Sequence, residues 1–159
     1  MSNLDGVRGA SEDRHCGACT ACCVHLSIPT GLPGVGHKPS GAACPHAGAL
    51  GCRIHAKRPG VCADFACAWL RNASWPPAWR PDRSGLLCLE ETSPSRPTTA
   101  TVLEIQPGAL LRHETAEIVN HLSQTAVTVS IVDVQGRRES ILAGNPIGQF
   151  GDLPHRLAG

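Results

Sequence analysis

From Gly85 onward, apolar and polar positions alternate as they do in packed secondary structure. The runs "LLCLEE" (86–91) and "TATVLEI" (99–105) are short and β-rich, the second alternating Thr with apolar residues, and both are predicted strands. "TAEIVNHLSQ" sets Ile118, Val119 and Leu122 on one side of a predicted helix. "AVTVSIVDV", "QGRR" and "ESILA" then predict a hairpin, with Gln135 and Gly136 suited to the tight turn. The expected order is strand, strand, helix, strand, strand, in a small and mostly antiparallel sheet.

Upstream the pattern is different. "SIPTGLPGVGHKPSGAACPHAGALGC" (27–52) carries no sustained helical or strand period. Regularity returns only at "KRPGVCADFACAWLRNA". There Arg58 is pushed towards extended geometry by Pro59, and Pro59 is pre-set for a first helical position. A helix is predicted from Pro59 to about Arg71 or Asn72, with Phe65 and Trp69 on one face, followed by the Pro-rich bridge "WPPAWRPDRSG". No internal repeat is present in the pattern.

These patterns predict an α+β chain. A flexible arm covers 1–14, a Cys-rich, loop-dominated lobe with short helices covers 15–84, and a small sheet module covers 85–159. The lobe and the module are expected to pack as one compact unit. A segment as rich in Gly and Pro as the lobe buries little apolar surface, so its order calls for a crosslink other than a hydrophobic core.

Composition narrows the functional classes. The net charge is +1 and charges of both signs are interleaved, so no basic stripe for nucleic acid or an anionic membrane is expected. Tyr is absent, and Phe65, Trp69, Trp75 and Trp79 fall in one short segment, which leaves little for base stacking. "MSNLDGVRGASEDRH" has no apolar region of the kind a signal peptide needs, and no apolar run reaches bilayer-spanning length. The expected setting is the reducing cytoplasm, without nucleic acid or membrane as partner.

That setting bears on the nine cysteines, because cytosolic thiols are kept reduced and a disulfide framework is disfavoured. Eight of the nine lie between residues 16 and 67: Cys16, Cys19, Cys22, Cys23, Cys44, Cys52, Cys62 and Cys67. A two-residue gap lets a turn aim two sulfurs at one ion, and "CGACTACC" contains two overlapping pairs of this kind. On an ideal helix Cys16, Cys19 and Cys23 share a face and Cys22 stands aside. Adjacent Cys22 and Cys23 chelate one ion poorly, so they either serve two metals or divide between a ligand role and a core role.

Eight thiols are predicted metal ligands, sufficient at the limit for two four-sulfur sites. Cys88, alone in a strand, reads as a small core residue. His46 and His55 are candidate replacements for a thiolate, against the plainer reading of hydrogen-bonded imidazoles. A thioredoxin-like pair is disfavoured, since no strand precedes Cys16, and nothing singles out one thiol as a nucleophile. Zinc and iron both remain open, including an iron–sulfur cluster completed by Cys44 before Pro45.

The run "CGACTACC" followed by "CPHAGALGCRIHAKRPGVCADFACAW" resembles the CxxCxxCC cysteine-cluster proteins, a family described as zinc- or iron-chelating. The resemblance rests on Cys16, Cys19, Cys22, Cys23, Cys44, Gly51 with Cys52, Arg58 with Pro59, Cys62, Phe65 and Cys67. It spans about residues 16 to 83 when "WRPDRSG" is included. Two positions depart from the family pattern: His55, where an aromatic residue is commoner, and Ala63, where Arg is common. The resemblance implies metal chelation by these cysteines and leaves the biochemical task open, with one much longer branch linked to a lysine methylase of flagellin.

The expectation is therefore a protein binding zinc or iron in a structural, binding or metal-delivery role, with the metal ion as ligand and the sheet module as a possible platform for a protein partner. The alternative is a metal- or iron–sulfur-dependent enzyme, or an accessory to one, with an open or redox-active site. No acid–base constellation or cofactor loop stands beside the cysteines, which favours the first.

Overall fold

The computed structural model describes residues 14–142. The arm expected over 1–14, apart from Arg14, and the part of the C-terminal module from residue 143 lie outside the described residues. The fold is α+β, with short helices and small, mostly antiparallel sheets. It divides into two units at Trp75 and Pro76, ahead of the change in patterning at Gly85.

The first unit is built from short pieces. Helix α1 (Ala21–His25) leads into a hairpin of β1 (Ile28–Leu32) and β2 (Gly36–Lys38), then a smaller hairpin of β3 (Ala47–Gly48) and β4 (Gly51–Cys52). A 3-10 turn over His55–Lys57 precedes α2 (Gly60–Ala63) and α3 (Ala68–Arg71). Among the described residues of this unit the buried apolar ones are few: Ala21, Ile28, Leu32, Ala68, Leu70 and Trp75, together with the thiols Cys44 and Cys67.

The helix expected from Pro59 to Arg71 is in fact two. Pro59 is extended (φ −61°, ψ 157°) and stands just outside α2, which ends at Ala63. Cys67 is again extended (φ −67°, ψ 164°) and opens α3, its carbonyl accepting from Arg71 N–H at 3.1 Å. The alanines around the break would tolerate a continuous helix. The interruption instead turns Cys67 inward, where it is buried, at a helix start rather than on a helix side. Phe65 consequently lies in the break and shares no helical face with Trp69.

The second unit follows the expected order. After a 3-10 turn over Pro77–Trp79 and α4 (Pro81–Ser84), strands β5 (Leu86–Ser93) and β6 (Arg96–Glu104) pair antiparallel. Helix α5 (His113–Leu122) crosses to β7 (Thr128–Val132), which lies parallel to β6, and β8 (Arg138–Leu142) returns antiparallel to β7. Sheet order is β5-β6-β7-β8. Ile118, Val119 and Leu122 of α5 are fully buried, as are Leu86, Leu87, Val102, Val129 and Ile131 of the strands. Cys88 is buried in β5 opposite Val102.

Two turns of this unit depend on particular residues. Gly85 closes α4 at φ +76°, and a side chain there would press on the Ala109 methyl, so only glycine joins α4 to β5 without strain. In the β7–β8 turn the Asp133 carboxylate accepts from the backbone N–H of Gln135 at 3.0 Å and of Arg137 at 2.9 Å, and from Arg137 Nε at 2.6 Å. Burial alone would raise the Asp133 pKa, but these donors outweigh it and hold the carboxyl below its ordinary value. Among the described residues no helix is long and apolar enough to cross a membrane.

Candidate metal centre

All eight cysteines from 16 to 67 fall in the first unit, spread over six short elements or their edges. Cys16 and Cys19 sit in the turn before α1, with Cys19 N–H donating to the Cys16 carbonyl at 2.9 Å. Cys22 and Cys23 are inside α1. Since that helix starts only at Ala21, Cys16 and Cys19 are not on its face, and the shared helical face expected for Cys16, Cys19 and Cys23 does not form. Cys44 follows β2, Cys52 ends β4, Cys62 lies in α2 and Cys67 precedes α3. None of the nine cysteines is joined in a disulfide.

Four connections bring these elements together. Arg14 reaches back across the unit: its guanidinium donates to the carbonyls of Trp69 (2.9 Å), Ala73 (2.7 Å) and Trp75 (2.5 Å) and lies 4.3 Å from the Trp69 ring centre. The start of the cysteine run is thereby tied to the segment just after Cys67. Cys44 N–H donates to the Cys23 carbonyl at 2.9 Å, and the Cys23 and Cys62 side chains pack on a small cluster of Ile28, Leu32 and Cys44. The Cys44 carbonyl accepts from Ala47 N–H at 2.9 Å, and Ala47 pairs with Cys52 across the β3–β4 hairpin. Finally, Gly51, at φ +105°, lays its backbone against the carbonyl of Gly17.

Lys38 supplies a buried positive charge. Only 2% of it is exposed, and its ammonium donates to the carbonyls of Ala42 (2.7 Å), Pro39 (3.0 Å) and Val24 (3.2 Å). All three partners are neutral, so the full charge of Lys38 is left to act on its surroundings. Neither Arg14 nor Lys38 is marked by the sequence: the first ends a polar stretch, and the second is one lysine in a Gly- and Pro-rich loop.

The thiols affect one another's protonation. Burial pushes Cys16 up to about 11, with Cys67, Cys19 and Cys23 adding to the rise and Arg58 opposing it. Cys22 holds its proton strongly because its S–H donates to the Cys23 sulfur and because it is buried, with Cys23, Cys16 and Cys67 adding. The same hydrogen bond pulls Cys23 down to about 7 against the effect of burial, assisted by the Lys38 charge. Burial raises Cys62, and Cys23, Cys44 and Cys52 raise it further while Arg58 opposes. Burial likewise raises Cys67; the backbone amides of Leu70 and Trp69 pull the other way, without closing a side-chain capping bond, and Cys19 adds to the rise.

The two histidines weighed as ligands have other partners. His46 Nε2 donates to the Pro33 carbonyl at 2.8 Å, and Arg58 donates to His55 Nδ1 at 3.2 Å and to the His55 carbonyl at 2.7 Å. As the side chains stand, no three or more His, Cys, Asp or Glu groups among the described residues converge closely enough to hold a metal ion. In kind, however, the donors suit a thiophilic cation: buried or half-buried sulfurs, unlinked by disulfides, of which Cys16, Cys22, Cys62 and Cys67 are kept protonated by burial and by neighbouring thiols. No family, no curated protein and no solved structure matches the chain.

Proposed function

We propose that the first unit binds zinc or iron through its cysteine cluster and that the protein acts as a structural, binding or metal-delivery module. The observation that carries this reading is the gathering of eight thiols from six separate stretches of chain into one unit whose described residues bury little apolar surface, where burial and neighbouring thiols together hold the protons on Cys16, Cys22, Cys62 and Cys67. Such a cluster is costly for a bare polypeptide. A bound cation removes the mutual penalty, and its binding free energy becomes folding free energy for the surrounding loops. The candidate ligands are Cys16, Cys19, Cys22, Cys23, Cys44, Cys52, Cys62 and Cys67, as the resemblance to the CxxCxxCC proteins also implies.

Ligation requires thiolates, so loading releases protons and affinity falls with acidity. Lys38 and Arg58 lower the cost of that ionisation at Cys23, Cys16 and Cys62. When bound, zinc supplies a closed tetrahedral crosslink, whereas an iron–sulfur cluster supplies an electron-accepting centre.

Anaerobic purification of the native protein, with elemental analysis and an absorption spectrum, tests the reading. Stoichiometric zinc in a colourless protein identifies thiolate sites, and a brown protein absorbing near roughly 400 nm identifies an iron–sulfur centre and opens the redox alternative. Protein that carries no metal, and whose residues 14–75 stay folded in excess chelator, sinks it.

A further inference from the structure

On the reading that the unit binds metal, we propose that it holds two separate four-thiolate sites, one of Cys16, Cys19, Cys22 and Cys67 and one of Cys23, Cys44, Cys52 and Cys62, joined at the Cys22–Cys23 peptide bond.

Backbone geometry makes the division. On one side, the Cys16–Cys19 turn leads directly into α1, and Arg14 fastens the chain ahead of that turn to Trp69, Ala73 and Trp75, which draws the start of α3 and Cys67 alongside Cys16. On the other side, Cys23 is bonded through its carbonyl to Cys44, and its side chain packs with Cys62 on Cys44, Ile28 and Leu32. The β3–β4 hairpin, anchored by the Cys44 carbonyl, delivers Cys52 to the same group.

The influences among the thiols run largely within these sets, with Cys23 reaching into both. Cys16 responds to Cys67, Cys19 and Cys23, Cys22 to Cys23, Cys16 and Cys67, and Cys67 to Cys19. Cys62 responds to Cys23, Cys44 and Cys52. Cys23 is felt from both groups because it is bonded to Cys22, yet its packing partners lie in the second. Adjacent residues leave a helix about 100° apart, so Cys22 and Cys23, although their sulfurs are hydrogen-bonded to each other, are directed towards different further neighbours. The contact of Gly51 with Gly17 keeps the two groups side by side.

The cations are shared out as well. Lys38 acts on Cys23 in the second group, and Arg58 acts on Cys16 in the first and Cys62 in the second, so each group has a positive partner for its excess thiolate charge.

The test uses the full chain loaded with ¹¹³Cd²⁺ in place of the native metal. Two cadmium resonances are expected, each correlated with the β-protons of one set of four cysteines. A single resonance, a cysteine correlated with both ions, or a different partition overturns the proposal while leaving the metal-binding reading intact. A chain that takes up neither cadmium nor zinc overturns that reading itself. As a second measurement, native mass spectrometry of Cys22→Ser and Cys23→Ser is expected to show about one zinc per chain in each, against about two in the unaltered chain. Loss of both ions from either soluble, folded variant points to one shared cluster and counts against two sites.

Discussion

Lys38 is the residue whose placement most changes the character of the cysteine lobe. A lysine almost wholly withdrawn from water and bonded only to the neutral carbonyls of Val24, Pro39 and Ala42 is an unusual expense in a small unit. Its return is electrostatic, since it lowers the cost of a thiolate at Cys23. Replacing it with methionine removes three charge-assisted bonds, and Lys38→Met is expected to destabilise residues 14–75 by about 1–3 kcal/mol and to weaken their hold on metal. Hydrogen exchange of the zinc-loaded chain, with zinc retention measured against a competing chelator, checks this; unchanged retention would remove Lys38 from any role at the site. Its lone occurrence in a polar loop gives no hint of burial. The cysteines were legible because their spacing repeats, whereas the charges that serve them were not, because they reach the site only through folding.

At the scale of elements, the strands, helix and hairpin after Gly85 matched the pattern because each buries one face and its periodicity records which. The single helix expected from Pro59 failed for a complementary reason. Local propensity permits it, but the chain runs extended at Cys67, which is buried at the start of α3. Short elements carrying thiols are positioned by contacts between them, and such contacts leave no period in the sequence. Gly51 is the clearest case. Its backbone touches the Gly17 carbonyl at a φ of +105°, so any Cβ meets both strain and collision. Gly51→Ala is expected to cost about 1–3 kcal/mol and to displace the β3–β4 hairpin that carries Cys52. Denaturant unfolding and zinc content of the variant are the readouts, and wild-type values for both would mean that the contact does not matter.

The whole molecule is divided by what stabilises each part. The unit from Pro76 rests on buried Leu86, Leu87, Val102, Ile118, Val119, Leu122, Val129 and Ile131, an ordinary apolar core. Among the described residues, the unit up to Trp75 has only Ile28, Leu32, Leu70 and Trp75 as large buried apolar side chains, and on the proposed reading a structural zinc would add about 10–16 kcal/mol of apparent binding free energy. Stripping metal with a strong chelator is therefore expected to abolish amide protection across residues 14–75 while leaving α5 and the strands from β5 to β8 protected. Hydrogen exchange read by mass spectrometry checks it, and simultaneous loss in both units would show that they fold as one.

The sequence by itself determined the α+β character, the order of the C-terminal elements and the concentration of thiols, because periodicity and residue type are local and survive in the written chain. Tertiary structure alone decided which thiols are neighbours, which lysine is buried beside them and where the helix through Cys67 breaks. Those depend on through-space contacts such as Arg14 with Trp69 and Cys23 with Cys44, between residues far apart in the chain. The spacing of Cys22 and Cys23 posed the question of one metal environment or two, and it took the packing to show Cys23 set against Ile28, Leu32 and Cys44.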